Sequence, residues 1–176
     1  MKMVKLLVPL VLAVLLVGCE PQSEENKAIE SIRSALSDVN KATDNGVSLK
    51  DYSEAVNRVG ATMLIARPKI DMDKRKKDVM PLVLAATEYT LVQLLWTESI
   101  MNDVFRNNDV VIIKGELLPD GINKIELRKT SRETSMKAFG KEDTLLQSGD
   151  AYILPRGVAF SIYWVHAEFL INYKAK

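Results

Sequence analysis

Residues 28–68 read AIESIRSALSDVNKATDNGVSLKDYSEAVNRVGATMLIARP, and this stretch decides the fold. Ile29, Ile32, Ala35, Leu36, Val39 and Ala42 recur at spacings of three and four, which lines one face of an α-helix. Ser23 offers an N-cap, with Glu24 and Glu25 in the first turn where the helix dipole favours anions. Asp44-Asn45-Gly46 ends this helix with residues that tolerate a left-handed conformation, and Ser48-Leu49-Lys50-Asp51 opens the next with a capping-box pattern. Leu49, Tyr52, Val56, Val59 and Met63 then repeat the helical spacing until Arg67-Pro68 stops it. So short a connection makes the two helices antiparallel neighbours. The expected fold class is mainly α, an antiparallel bundle of about four to five helices. The alternative is α+β, with short strands near 110–113 and 158–165.

Downstream of the hairpin, Arg67, Lys69, Lys74, Arg75, Lys76 and Lys77 cluster with Asp71 and Asp73. They read as a solvated connection between helices, and also as a contact for anionic lipid headgroups or an acidic partner. Two carboxylates beside six cations make a poor calcium site, so no metal is expected. Asp78 is the expected cap of a third helix, with Pro81 in its first turn and an end near Phe105. One stripe of this helix holds Leu84, Leu91, Leu94, Met101 and Phe105, and a second holds Leu82, Ala85, Tyr89, Val92, Trp96 and Ile100. Two apolar faces predict a central helix packed on both sides. Glu98 falls in the first stripe, where it reads as a partly exposed or snorkelling carboxylate at the bundle edge; if buried, it must be paired, protonated or open to a cavity, and in that form it is the candidate ligand contact.

The second half is less regular. Val110–Ile113 is a β-branched run, Pro119-Asp120-Gly121 is a turn signal, and residues 122–139 form a polar helix ending at Gly140. Residues 158–173 are expected as a helix on length, although Val158–Ile162 alternates as a strand would. His166 within it reads as a satisfied core or rim residue.

Outward in the other direction, Lys2 and Lys5 precede an apolar run from Leu6 to Val17, then Gly18 and Cys19. This has the parts of a secretory signal, and about a dozen apolar residues fall short of the ~20 needed to span a bilayer. Leu16-Val17-Gly18-Cys19 resembles the lipobox of bacterial lipoproteins. The resemblance implies cleavage after Gly18 and diacylglycerol on the Cys19 thiol, which makes that cysteine an anchor. Glu20 stands where an Asp would, by the same resemblance, favour inner-membrane retention. The expected address is the outer membrane facing the periplasm in a Gram-negative cell, or the outer face of the plasma membrane in a Gram-positive one. The chain then divides into a signal peptide (1–18), a lipidated cysteine with a short tether (19–26) and a single helical domain (27–176).

Composition narrows the chemistry. One Cys and one His leave no ligands for structural zinc, iron–sulfur or multi-histidine centres, and no cofactor motif is present. A net charge of +1 gives no general argument for nucleic acid. The reading is a non-enzymatic, membrane-anchored interaction or scaffold module, with the bilayer and another envelope protein as partners. The alternative is a bundle that binds a small or lipid-like ligand.

Overall fold

The computed structural model describes residues 23–44, 46–141 and 151–173. The segment read as an export signal, with Cys19, lies outside these residues. Among the described residues, six α-helices and a two-stranded antiparallel sheet make the fold mainly α.

Helix α1 (Glu24–Asp44) starts where the Asn26 amide donates to the Ser23 hydroxyl at 3.2 Å. It buries Ala28, Ile29, Ile32, Leu36 and Val39, the face read from the sequence. Gly46, at φ 72°, takes the left-handed turn that leads into α2 (Leu49–Ala66). Ser48 caps α2, accepting from the Asp51 amide at 3.2 Å and donating to its carboxylate at 2.7 Å. Pro68 sits in a single 3₁₀ turn (Arg67–Lys69) that ends the hairpin.

The central helix α3 (Met72–Met101) starts about two turns earlier than a cap at Asp78 would place it. Asp71 caps it instead, accepting from the amides of Asp73 and Lys74, and its own amide donates to Glu25 of α1 at 2.8 Å. Lys74, Arg75, Lys76 and Lys77 are therefore helical rather than part of a linker, and Pro81 lies in the helix interior. Four cations against the positive end of a helix dipole are unfavourable. Asp71 beside Lys74, and Asp78 with Glu25 beside Arg75, offset them. The Lys74 ammonium, through its hydrogen bond, holds the Asp71 carboxyl below its ordinary range. The helix stops at Asn102, short of Phe105, because the Asn102 side chain caps the next short helix, α4 (Asp103–Asn108).

Strand β1 (Val110–Lys114) confirms the β-branched run, and it pairs with β2 (Ala151–Pro155), Ile112 opposite Ile153. The second strand therefore precedes the alternating segment in which it was sought: 158–165 is wholly helical, within α6 (Arg156–Asn172). Helix α5 (Lys124–Phe139) is capped by Asn123 and ended by Gly140 at φ 69°. It lies against β2, where the Ile153 amide donates to the buried Ser131 hydroxyl at 2.7 Å.

The four long helices α1, α2, α3 and α6 surround one core, in which Leu36, Tyr52, Leu82, Tyr89, Val92 and Tyr163 are fully or almost fully buried. Of the two stripes on α3, only the one containing Leu82, Ala85, Tyr89 and Val92 is buried. The other is largely uncovered: Leu84, Leu94 and Met101 are exposed, with Leu94 at 62% and Met101 at 81%. The helix is central as expected, with α1, α2 and α6 packed against it, but this outer stripe is left mostly to solvent, Leu91 alone of its α3 residues being partly covered. By length and composition alone α3 could cross a membrane, at mean hydropathy 1.4 over its most apolar window. That hydropathy is the sum of a core face and an uncovered face.

Candidate functional site

The seam between α2 and α3 is lined by apolar side chains that do not fill it. At its upper end, beside the Arg67 turn, a cavity of about 540 Å³ is lined by Met63, Leu64, Arg67, Ile70, Met72 and Met80, among others. A second of about 410 Å³ continues down to Leu91, Leu94 and Leu117. Gly60, Met63 and Val83 border both, so they form one continuous groove. Cavities of a few hundred Å³ with apolar walls are the size that holds small ligands. Gly60 keeps the middle open: a Cβ built there would meet no atom within 4 Å. No carboxylate lines either part.

The cations identified from sequence converge on the upper end. Arg67 lines the groove, Lys69 follows in the same turn, and Lys76 stands one helical turn from both Met72 and Met80, on their face of α3. Lys74 and Arg75 are engaged by neighbouring carboxylates. Arg67, Lys69, Lys76 and Lys77 are exposed and have no ion-pair partner among the described residues. Glu98 is not part of this arrangement. It is exposed and borders neither cavity, and 21 residues of helix separate it from Lys77, about 32 Å at the α-helical rise. The reading of Glu98 as an exposed carboxylate at the bundle edge holds, and the buried alternative is corrected because its stripe is largely uncovered.

A different carboxylate is sequestered. Glu88 of α3 meets His166 of α6, with Oε1 2.5 Å from the imidazole Nδ1, while the Glu88 side chain is only 13% exposed. Its other oxygen, Oε2, is buried without a hydrogen-bond partner among the described residues. Burial raises the Glu88 carboxyl above its ordinary value of 4.5, and His166 partly opposes that rise. The reading of His166 as a satisfied rim residue holds, but Glu88 was passed over because it falls between the two apolar stripes. Only the position of α6 buries it.

Below this pair lies a cluster of four rings, with centroids 5.3–6.2 Å apart: Tyr52 of α2, Trp96 of α3, and Phe160 and Trp164 of α6. The Tyr52 hydroxyl donates to the Tyr89 carbonyl at 3.0 Å and accepts from the Trp164 indole at 3.4 Å. Burial pushes the phenols of Tyr52, Tyr89 and Tyr163 above their ordinary value of 10.0. These groups are fixed by packing, and their chemistry is structural.

Among the described residues, no three His, Cys, Asp or Glu side chains cluster as metal ligands would. No family model, curated protein or solved structure matches this chain. The groove is thus defined by its own geometry: apolar walls, an unfilled middle and unpaired cations at one mouth.

Proposed function

We propose that this chain is a lipid-anchored envelope protein that works by binding, not catalysis, and that the α2–α3 groove is its working surface. The observation that carries the proposal is the uncovered apolar seam, where Leu64 is 75% and Leu94 62% exposed beside an unfilled groove. Large exposed apolar surfaces on folded domains mark places where something else docks. The lipobox resemblance and the short tether put this surface close to a bilayer. The four residues 20–23 between Cys19 and α1 reach at most about 14 Å, and the unpaired cations suit an anionic environment.

Two measurements test this. A photo-crosslinking amino acid at Leu94, compared with one at exposed Lys50 outside the groove, should give an adduct in intact cells only from Leu94. Equal adducts from both sites, or none from Leu94, would remove the groove as the working surface. Cys19→Ala should abolish labelling by radioactive palmitate, and retained label would overturn the anchor.

A further inference from the structure

Building on the groove as working surface, we infer that its occupant is the acyl chain of a single-chain anionic amphiphile, with the anionic group at the Arg67 mouth. The groove is a trough between two helices: it has concave apolar walls that a flat bilayer surface cannot enter. Its middle is kept free of side chains by Gly60. Its lining on α3 runs from Met72 to Leu94, 22 residues apart and about 33 Å at the helical rise, long enough for an extended long acyl chain. Apart from Thr87, Tyr89 and Thr90 along α3 and Arg67 at the mouth, the walls are aliphatic and thioether groups, and thioethers adapt to flexible apolar ligands.

Charge orients the ligand. Arg67 lines one mouth, Lys69 follows it in the same turn and Lys76 lies on the groove face of α3, whereas the opposite end at Leu94 and Leu117 has no charged lining residue. Asp71 and Asp78 are occupied by Lys74 and Arg75, leaving Asp73 as the carboxylate of this cluster with no ion pair among the described residues. The mouth therefore holds an excess of cations. An amphiphile with a neutral head would leave them without a counter-charge, and a cationic one would be repelled.

The test uses the full-length chain purified from membranes and reconstituted in vesicles of zwitterionic phosphatidylcholine. The probe is a diazirine-bearing stearic acid, with the corresponding alcohol as its neutral counterpart, and adducts are mapped by peptide mass spectrometry. The acid should label residues 60–66 and 79–94, with the alcohol at least about fivefold weaker. The double variant Arg67→Glu/Lys76→Glu, at two exposed positions, should reduce labelling by about tenfold. Gly60→Trp should suppress it further by filling the trough. If that variant fails to fold by circular dichroism, the charge variant decides the matter.

Labelling spread evenly onto the outer face of α6 at Val165 and Phe169, labelling unchanged by the charge variant, or equal labelling by the alcohol would each overturn the inference. An in-cell adduct from Leu94 with the mass of another protein or a second copy, together with no acyl labelling, would sink the amphiphile and leave the groove as working surface. Failure of both experiments would remove both.

Discussion

On its α6 side the central helix is closed by side chains that interlock, whereas on its α2 side it borders a trough. The α3–α6 seam carries Trp96 against Phe160, which is backed within α6 by Trp164, and Glu88 against His166. Aromatic rings contribute large buried areas and specific edge contacts, and the His–Glu pair fixes the register of one helix on the other. The α2–α3 seam is joined at its lower end by Tyr52 on Trp96 and above that presents aliphatic residues, methionines and a glycine. One helix thus serves two purposes: one face supplies stability, and the other remains available. If this division is correct, equally apolar positions on the two faces should differ greatly in what they contribute to folding.

The largest effect is expected at Phe160, 3% exposed and in contact with two indoles. Phe160→Ala should destabilise the domain by about 4 kcal/mol, read from urea denaturation. A loss below ~1 kcal/mol would mean that the aromatic seam is not the source of stability.

Glu88→Gln probes the same seam through pH. The Glu88 carboxyl is raised in the folded state, so the protonated form favours folding. Its contribution is complete below the unfolded value of about 4.3 and is lost as pH rises through the folded pKa. The Gln variant cannot lose a proton, so its stability relative to the native chain should increase across that window. Denaturation midpoints taken from acid to neutral pH measure this. The opposite slope would show that His166, and not burial, governs the carboxylate.

On the open side, Gly60→Ala should stabilise by about 1 kcal/mol, because alanine is the better helix former and its methyl group meets nothing. Thermal melts read the gain, and a loss would mean that the trough is narrower than described. The smallest effect is expected at Leu94, where Leu94→Ser should change stability by less than ~0.5 kcal/mol. A loss comparable to that of Phe160→Ala would erase the contrast between the two faces.

Much of the fold was legible because the responsible signals are local. Ser23, Ser48 and Gly46 punctuate the first hairpin where helix ends need caps and a left-handed residue. The start of α3 was misplaced because four consecutive basic residues look like a solvated linker, and the contact that fixes that start, from Asp71 to Glu25, joins residues 46 positions apart. Strand β2 was missed because Ala151–Leu154 is a short continuous apolar run, which has no period to read and gains its meaning from pairing with β1. The candidate site was half visible. The cations Arg67, Lys69, Lys76 and Lys77 stood out by composition, while Gly60 and the walls of the groove did not, since a glycine in a helical stretch has the same letter whether or not a neighbour fills the space beside it.

By itself, the sequence determined the helical hairpin, the apolar character of both stripes on α3, the basic cluster, and a lipobox-like N-terminus with one cysteine. These follow from periodicity, capping and charge, which act over a few residues. Only the tertiary structure decided which stripe is core and which is surface, that Glu88 and not Glu98 is the sequestered carboxylate, and that the cations stand at the mouth of an apolar trough. Burial depends on which other element arrives to cover a face. That is set by contacts distant in sequence, such as α6 closing on α3, and no local pattern contains it.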